Sequence, residues 1–236
     1  MQQVIRHPRI GEVTLSRTRR ARRLSVSVRP PGRVRLTLPA RMPLREGLAF
    51  LDEKADWVIE TLRRVAERHP VRLLLPPYRT WSHELELVEA LGERPSAWIT
   101  ADRIRVALPA GMAPETEEGQ QVIRAAVERT LRCEAKEVLP VMTAEIARRF
   151  GFRYGRVTVR AARGRWGSCS SHDDLSFSIF LMRLPRHLIE YVILHELCHT
   201  RFKDHSPRFH ALLDRLLEGR EKALRAELRS HAPEVI

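Results

Sequence analysis

Cysteine is scarce in this sequence, and its pattern excludes two kinds of fold. The three cysteines, Cys133, Cys169 and Cys198, are odd in number and include no C-x-x-C pair. Neither a disulfide framework nor a cysteine zinc ribbon is therefore expected. A packed, reduced thiol is the expected role of Cys198, because free cysteine behaves as a small buried hydrophobe.

Long apolar runs are also missing. No segment approaches the roughly 20 apolar residues that span a bilayer, and residues 1–13 contain no signal-peptide core. The chain has 236 residues, of which 43% are hydrophobic and 30% charged, as in globular proteins with one large or two small domains. We therefore expect a cytoplasmic protein with no membrane partner.

Lysine is almost absent, with 4 residues against 38 arginines in a chain of formal net charge +13. Between Arg6 and Arg45, twelve arginines stand against one acid, Glu12. Such a surface could contact nucleic acid, nucleotides or acidic protein segments. Biased genomic base composition would give the same excess on an ordinary solvated surface, and the sequence leaves both interpretations open.

One short pattern is chemically specific. Residues 195–199 read HELCH and have the form H-E-x-x-H. On an α-helix, residues four apart lie on one face, so His195 and His199 can hold the same metal ion. Glu196 lies about 100° round the helix, where its carboxylate can accept a proton from water. The preceding residues 188–194 are mostly apolar, which predicts a buried helix.

A third ligand has to come from outside this helix. If the helix continued, His205 would lie about 15 Å along the axis from His195. The Ser-Pro pair at residues 206–207 favours a new helix start, which places His205 on a connection that can turn back. Two histidines from one helix, a third ligand and one open position are typical of a catalytic zinc site. Glu218 and Glu221 are competing candidates for the third place.

Alternating apolar and polar residues predict a β-rich front part. Residues 24–28 and 34–38 alternate on either side of Pro30-Pro31-Gly32, which predicts a hairpin. Residues 48–65 have the three-and-four spacing of one amphipathic helix, which should end before Pro70.

The front part also contains an apparent internal repeat. The segment Arg33 to Met42 recurs at an offset of 70 as Arg103 to Met112, with six identities in ten. Residues 83–88 would be the partner strand of the second copy. The recurrence predicts a weak duplication of a hairpin-plus-helix unit, and chance recurrence of a common pattern is the alternative.

Helical spacing dominates the rest of the chain. Residues 117–150 should form a long helix that Pro140 kinks or divides, and a small sheet should precede the HELCH helix. We therefore expect an α+β fold with two parts. A basic, β-rich part occupies residues 1–114, and a mainly helical part with the metal site occupies residues 115–236.

With these residues assembled, the chain resembles the YgjP-like metallopeptidase family, relatives of the SprT and WLM zincins. The basic RRARRLSVSV stretch, the PPG turn and Trp57 are similar to the front part of the family, so the resemblance covers most of the chain. The other matching segments, in the family's order and spacing, are Arg165–Cys169 (RWGSC), Leu184-Pro185, Ile189–Thr200 (IEYVILHELCHT) and His205–Phe209 (HSPRF).

The resemblance implies a zincin-like catalytic domain with one zinc ion. It assigns the metal to His195, His199 and His205, and the catalytic carboxylate to Glu196. The leading hypothesis is therefore a zinc metallopeptidase with a protein or peptide substrate.

Two positions depart from the family's pattern. Ser178 stands where the family usually has Asn, and His210 stands where it usually has Trp. We expect His210 at the surface or in packing, with a place beside the metal ligands as the alternative. His7 is expected to be solvated.

The substrate has two expected contacts. An extended peptide would pair with the strand at residues 175–181 if that strand is a sheet edge. The loop at residues 165–171 would offer hydrogen-bond donors to the developing oxyanion. The natural substrate and the oligomeric state are left open.

Two other functions remain as alternatives. The first keeps the metal but hydrolyses a nucleotide phosphoanhydride held by the arginine-rich part, although no G-x-x-x-x-G-K-[ST] loop is present. The second is a nucleic-acid-associated protease or binding protein, whose affinity would fall steeply with salt.

Overall fold

The computed structural model describes residues 2–29, 32–68 and 73–231, which form a mixed α+β protein as expected. Contacts divide the chain into two compact units, Met1–Arg72 and Leu73–Glu234. None of the helices in the described ranges combines the length and apolar composition needed to cross a bilayer.

The first unit is a four-stranded sheet with two helices on one face. The sheet order is β1-β2-β4-β3, in which β2 and β4 are parallel and the other neighbours antiparallel. Its elements are β1 (Gln2–His7), β2 (Gly11–Thr18), β3 (Ser25–Arg29), β4 (Arg33–Pro39), α1 (Leu44–Glu53) and α2 (Ala55–Arg68).

Alternation along the strands builds the core of this unit. On β4, Val34, Leu36 and Leu38 are buried, and they pack with Leu51 of α1 and Val58 of α2. The predicted hairpin is confirmed by the antiparallel pairing of β3 with β4. Pro30 and Pro31 of its turn, like Pro70, lie outside the described residues.

Two expectations about the first unit are wrong. The single helix predicted over residues 48–65 is two helices, separated at Lys54, whose backbone (φ −91°, ψ 5°) leaves the helical range. His7 is buried rather than solvated. Its Nδ1 accepts the N–H groups of Arg9 and Ile10, and its Nε2–H donates to Asp52 at 2.8 Å.

The second unit combines two small sheets with four helices. One sheet has the order β5-β7-β6 and the other β8-β10-β9. Its elements are β5 (Glu84–Glu89), β6 (Ser96–Ile99), β7 (Arg103–Leu108), α3 (Glu117–Phe150), β8 (Val157–Arg160), β9 (Gly167–Cys169), β10 (Leu175–Ser178), a 3-10 helix (Ile179–Arg183), α4 (Arg186–Cys198), α5 (Pro207–Leu216) and α6 (Glu221–Ser230).

Helix α3 is the longest element and runs through Pro140 without being divided. The Thr116 hydroxyl caps its start by accepting the N–H of Gly119 at 3.1 Å, and Gly151 ends it with φ 66°. A proline inside a helix removes one backbone hydrogen bond, and here the packing of α3 on both sheets, the 3-10 helix and α4 offsets that loss.

Strands β5, β6 and β7 belong to the second unit, although the sequence assigned residues up to 114 to the front part. The reason is packing, because Leu85, Ile104 and Val106 share one core with α3. The contact boundary therefore falls between Arg72 and Leu73. Whether residues 1–114 and 115–236 behave as domains stays a prediction.

The two recurring segments occupy equivalent strands. In the first unit, β4 is parallel to β2 and antiparallel to β3. In the second unit, β7 is parallel to β5 and antiparallel to β6. The hairpin partner of β7 is thus β6, whereas the strand expected at residues 83–88 is its parallel neighbour. The strands β2-β4-β3 and β5-β7-β6 therefore have the same order and the same relative directions.

The sheet nearest the HELCH motif has β10 in the middle. Strand β10 is parallel to β8 and antiparallel to β9. The condition for substrate pairing at residues 175–181, that this strand be a sheet edge, is therefore not met, because β10 is paired on both sides and residues 179–183 form the 3-10 helix. The edge strand beside α4 is β9.

Candidate metal centre

Helix α4 is buried on nearly all sides, which fixes where its histidines point. Pro185 precedes its first turn with an extended backbone (φ −62°, ψ 149°), and residues 191–194 are all buried. A helix that is apolar all round is held by packing rather than by a solvated face. His195 and His199 consequently have one rigid support.

The third histidine comes from the connection after α4, as predicted. The helix ends at Cys198, His199 is its C-cap, and α5 begins at Pro207 with Ser206 in the extended N-cap position. His205 lies between the two helices and is solvent-exposed.

The three imidazoles converge. One ring nitrogen from each of His195, His199 and His205 lies within 4.8 Å of the others, and the Nε2 atoms of His195 and His205 are 3.1 Å apart. Two nitrogens bound to one tetrahedral zinc at about 2.05 Å would be about 3.3 Å apart. The residues present therefore fit a zinc ion.

The protonation of the site also suits a metal. Burial, followed by the neighbouring His199 and His205, lowers the pKa of His195 to about 3, and burial lowers the pKa of His199. Neutral imidazole is the form that binds metals. His199 Nδ1 lies 2.9 Å from the carbonyl oxygen of Phe202, and donation there would leave Nε2 free for a metal.

Phe209 of α5 holds the three rings in place. Its fully buried ring stacks on His199 at 4.5 Å between centroids. It meets His195 and His205 edge-on at 4.9 and 5.0 Å. Edge-on and stacked contacts of this kind restrict ring rotation, so Phe209 positions ring nitrogens that the spacing of the sequence alone does not fix.

Glu196 lies beside the cluster in a confined place. The residue is only 6% exposed, and burial raises the pKa of its carboxyl to about 7, partly offset by Arg165. Gly167 of β9 packs against it, since a Cβ on Gly167 would lie 2.7 Å from Glu196 Oε1. The loop expected at residues 165–171 thus contains the short strand β9. A glycine inside a strand is the signal of such a close approach.

Lys203 joins the connection between α4 and α5, which carries His205, to the β9–β10 hairpin by hydrogen bonds. Lys203 Nζ donates to the carbonyl of Ser170 at 2.8 Å, forms an ion pair with Asp173 and lies 3.6 Å from Cys169 Sγ. The sequence offered no signal for this contact, because its members are 30 or more residues apart.

The competing candidates for the third ligand lie elsewhere. Among the described residues, the metal-competent cluster contains neither Glu218 nor Glu221. Glu221 instead accepts a hydrogen bond from His210 at 3.1 Å. His210 is half-buried, with its ring centroid 6.2 Å from that of His205, so it borders the cluster without entering it.

Two further sequence expectations can be placed. Cys198 is a buried free thiol, as expected, and burial raises its pKa to about 12. The Ser178 hydroxyl donates to the carbonyl of Ala162 at 2.7 Å and accepts the N–H of Phe180 at 3.3 Å. Ser178 thus caps the 3-10 helix.

Known families and solved structures include proteins that are similar to this chain. The family model described as YgjP-like, metallopeptidase domain, matches residues 22–231. The crystal structure of the metallopeptidase zymogen jannalysin of Methanocaldococcus jannaschii is similar over 39% of this chain and 93% of that chain, with 18% identity and a TM-score of 0.35. A comparison with curated proteins finds no significant match.

Proposed function

Because the chain belongs to the YgjP-like metallopeptidase family, we propose that it hydrolyses peptide bonds at one zinc ion held by His195, His199 and His205. The observation that carries this proposal is the convergence of three ring nitrogens within 4.8 Å beside a buried carboxylate. When bound, the zinc ion would supply Lewis acidity to the scissile carbonyl and to water.

Glu196 is the proposed general base. Its burial and its raised pKa, about 7, suit a group that accepts a proton from water and returns it to the leaving amine near neutral pH. Gly167 and the packed helix α4 leave the carboxylate little room to rotate. Such a fixed orientation lowers the cost of reaching the reactive geometry.

Strand β9 is the proposed docking edge for an extended substrate. In an antiparallel pair, alternate residues turn their N–H and C=O groups toward the partner strand. Trp166 accepts the N–H of Ser178 at 2.9 Å, and Ser170 donates to Asp174 at 2.8 Å. Gly167 lies one residue beyond Trp166, so its backbone groups point away from β10.

Cys169 precedes Ser170, so by the same alternation its backbone N–H and C=O groups also point away from β10. The outward backbone groups of β9 can therefore pair with a peptide by strand addition. An N–H group on this edge is also the candidate donor for the oxyanion. A peptide aligned along β9 would pass Glu196, because Gly167 packs against that side chain.

The general base is tested by Glu196→Gln, with Glu190→Gln on the same helix as the matched control. Glu190 is ion-paired with Arg186 at the start of α4. We expect Glu196→Gln to retain its zinc, measured by elemental analysis, and to lose peptidase activity on unfolded protein by a factor of about 10² to 10⁴. Glu190→Gln should keep both its zinc and its peptidase activity. Retained activity in Glu196→Gln would contradict the proposal.

The ligand set is tested by His205→Ala against Glu218→Gln. We expect His205→Ala to lose bound zinc and Glu218→Gln to keep one ion per chain.

The substrate class is tested by assaying nucleoside triphosphates beside unfolded protein, with and without chelator. Chelator-sensitive hydrolysis of the triphosphate alone would replace the peptidase by the phosphoanhydride hydrolase.

A further inference from the structure

Charge in the first unit is segregated between its sheet and its helices. Residues 2–42, which contain the four strands, carry eleven arginines and one acid, a net charge of +10. Residues 43–68, which contain α1 and α2, carry five cationic residues and six acids, a net charge of −1. Five of these arginines lie on the strands and six on the turns and connections beside them, so the excess positive charge of this unit is on the sheet and its connections.

The open face of the sheet is the face that α1 and α2 do not cover. Because side chains alternate along a strand, the neighbours of the buried β2 and β4 residues point to this face, and the paired residues of β1 and β3 join them. The open face carries short hydroxyl side chains and arginines but no aromatic residue. Its members are Val4, Arg6, Glu12, Thr14, Ser16, Ser25, Ser27, Arg29, Arg33, Arg35 and Thr37.

The arginines of the open face are exposed to solvent. Arg6, Arg29, Arg33 and Arg35 are all solvent-exposed. None of the four forms an ion pair with another described residue, whereas Arg9 and Arg63 of the same unit do. Their charge is thus available to a partner.

The second unit shows the same strand in a neutralised form. Arg103 and Arg105 on β7 stand at the positions of Arg33 and Arg35 in the recurring segment. Each is paired across the sheet at 2.8 Å, Arg103 with Glu84 and Arg105 with Glu86 of the parallel neighbour β5.

On β2, the parallel neighbour in the first unit, Glu12 is the cross-strand partner of Arg6 and forms no ion pair with another described residue, and Thr14 lies beside Arg35. A hydroxyl there leaves the guanidinium charge uncompensated. The difference is in the neighbouring strand, since the recurring segment itself has the same two arginines in both units.

We propose that the open face of β1–β4 binds a nucleic-acid duplex through its phosphate backbone. Arginine and hydroxyl side chains are the usual contacts to phosphate oxygens. Proteins that hold single strands add aromatic platforms on which bases stack, and this face has none. The binding is therefore expected to be independent of base sequence. The proposal does not rest on the peptidase function.

The dimensions of the face suit several phosphates. A strand of the length of β4, seven residues, spans about 20 Å at about 3.3 Å per residue. A duplex segment of that length carries about 12 phosphate charges at one per about 1.7 Å. The four arginines of the face can therefore each meet a separate phosphate, and together they neutralise about a third of that charge.

The test measures fluorescence anisotropy of a labelled DNA duplex of about 25 base pairs with the full chain, over a range of salt. The double variant Arg33→Gln/Arg35→Gln is compared with Arg103→Gln/Arg105→Gln, which removes the same charge from the equivalent strand. We expect the first double variant to lose affinity about tenfold at about 50 mM salt. Its log K against log salt slope should fall by about 1.8, for two lost phosphate contacts. The second should match wild type within about threefold.

An RNA duplex, a single strand and polyglutamate serve as competitors. The RNA duplex should bind within about threefold of the DNA duplex, because only phosphates are contacted. Absent wild-type binding at about 50 mM salt, equal losses in the two double variants, or tighter binding of the single strand or polyglutamate would each overturn the proposal. If Arg33→Gln/Arg35→Gln melts early, Arg6→Gln/Arg29→Gln tests the same face with the same expected loss.

Discussion

The chain contains two three-stranded arrangements of the same order and direction, and their outer rows differ. Around β4, Arg35 lies between Thr14 and Ser27 and Arg33 lies opposite Arg29, whereas around β7 the equivalent arginines are paired with Glu84 and Glu86. Their inner faces are alike, since both bury alternating aliphatic side chains against helices. One strand pattern thus supports two surfaces of different charge.

The two units also differ in where polar groups are buried. In the second unit, two acids, Glu134 and Glu196, are almost fully buried, and Glu134 accepts several hydrogen bonds. In the first unit, the comparable contact joins buried His7 to the largely exposed Asp52. The second unit therefore combines a rigid interior with the candidate metal centre, and the first presents an open charged sheet. The predictions below test this division.

Removing the metal should distinguish the units most strongly. A bound zinc at a thousandfold excess of free ion over Kd stabilises the folded form by about 4 kcal/mol. Chelation should therefore speed amide hydrogen exchange in α4 and α5, measured by mass spectrometry, and leave strands β1 to β4 unchanged. Exchange that rises equally in both regions would mean that the metal stabilises the chain as a whole.

Replacing one buried acid should affect stability nearly as much. Glu134 of α3 is only 3% exposed, and it accepts hydrogen bonds from Thr80 Oγ1 at 2.6 Å and Ser82 N–H at 2.9 Å. Glu134→Gln can keep an oxygen toward these donors, but it turns an amide N–H₂ toward the Trp81 N–H and loses the charge that strengthens all of these bonds, so it should cost about 3 kcal/mol.

The matched change in the first unit is Asp52→Asn. The Asp52 side chain is 68% exposed, so solvent replaces most of its interaction and the cost should stay below about 1 kcal/mol. The free energy of unfolding of both variants is measured by urea denaturation. Similar losses of stability in the two variants would show that the buried acid of the second unit contributes no more than the exposed acid of the first.

Two glycines give the next contrast, one in each unit. A Cβ on Gly167 would lie 2.7 Å from Glu196 Oε1, and a Cβ on Gly47 would lie 2.7 Å from Leu38 Cδ2. Gly167→Ala displaces a proposed catalytic group, so we expect kcat/KM to fall about 100-fold with zinc retained. Gly47→Ala should cost about 1 kcal/mol, because overpacking of about 2 kcal/mol exceeds the gain of about 1 kcal/mol in helix propensity.

The control for the first glycine is Gly164→Ala, since a Cβ at that exposed position meets no atom within 4 Å. Its activity should equal that of wild type. A large loss of activity in Gly164→Ala or Gly47→Ala would assign the effect to general destabilisation rather than to Glu196.

The elements set by local rules could be predicted from the sequence. The helix that carries His195 and His199, the restart at Pro207 and the strands of alternating pattern all follow from residues close together in the chain. For the same reason, His205 could be placed on a connection before any contact was known. The family resemblance added the assignment of roles, which stays a prediction for each residue.

The features set by distant partners could not be predicted. Alternation identifies β10 as a strand, but its central place depends on β8 and β9, which lie on either side of it. The contact boundary after residue 72 could not be predicted, because it depends on β7 burying its apolar face on α3, a helix later in the chain. The apolar spacing continues through Lys54, so it gave no sign of the break between α1 and α2.

The smallest expected effect comes from removing two acids of β5, which makes the charge of the β5-β7-β6 sheet more like that of the sheet in the first unit. Glu84→Gln/Glu86→Gln removes the acidic partner of Arg105 and leaves Arg103 with Asp102 alone, whereas Arg33 and Arg35 form no ion pair with another described residue. These pairs are partly exposed, so the loss of stability should be below about 1 kcal/mol in total. Affinity for the DNA duplex should rise only about two- to threefold, because Trp98 and Ala107 replace the hydroxyl residues Ser27 and Thr37 beside these arginines. Anisotropy in low salt measures this change. A gain of tenfold or more would mean that unpaired arginines alone make the surface, whereas no gain would mean that the hydroxyl rows of the first sheet are needed as well.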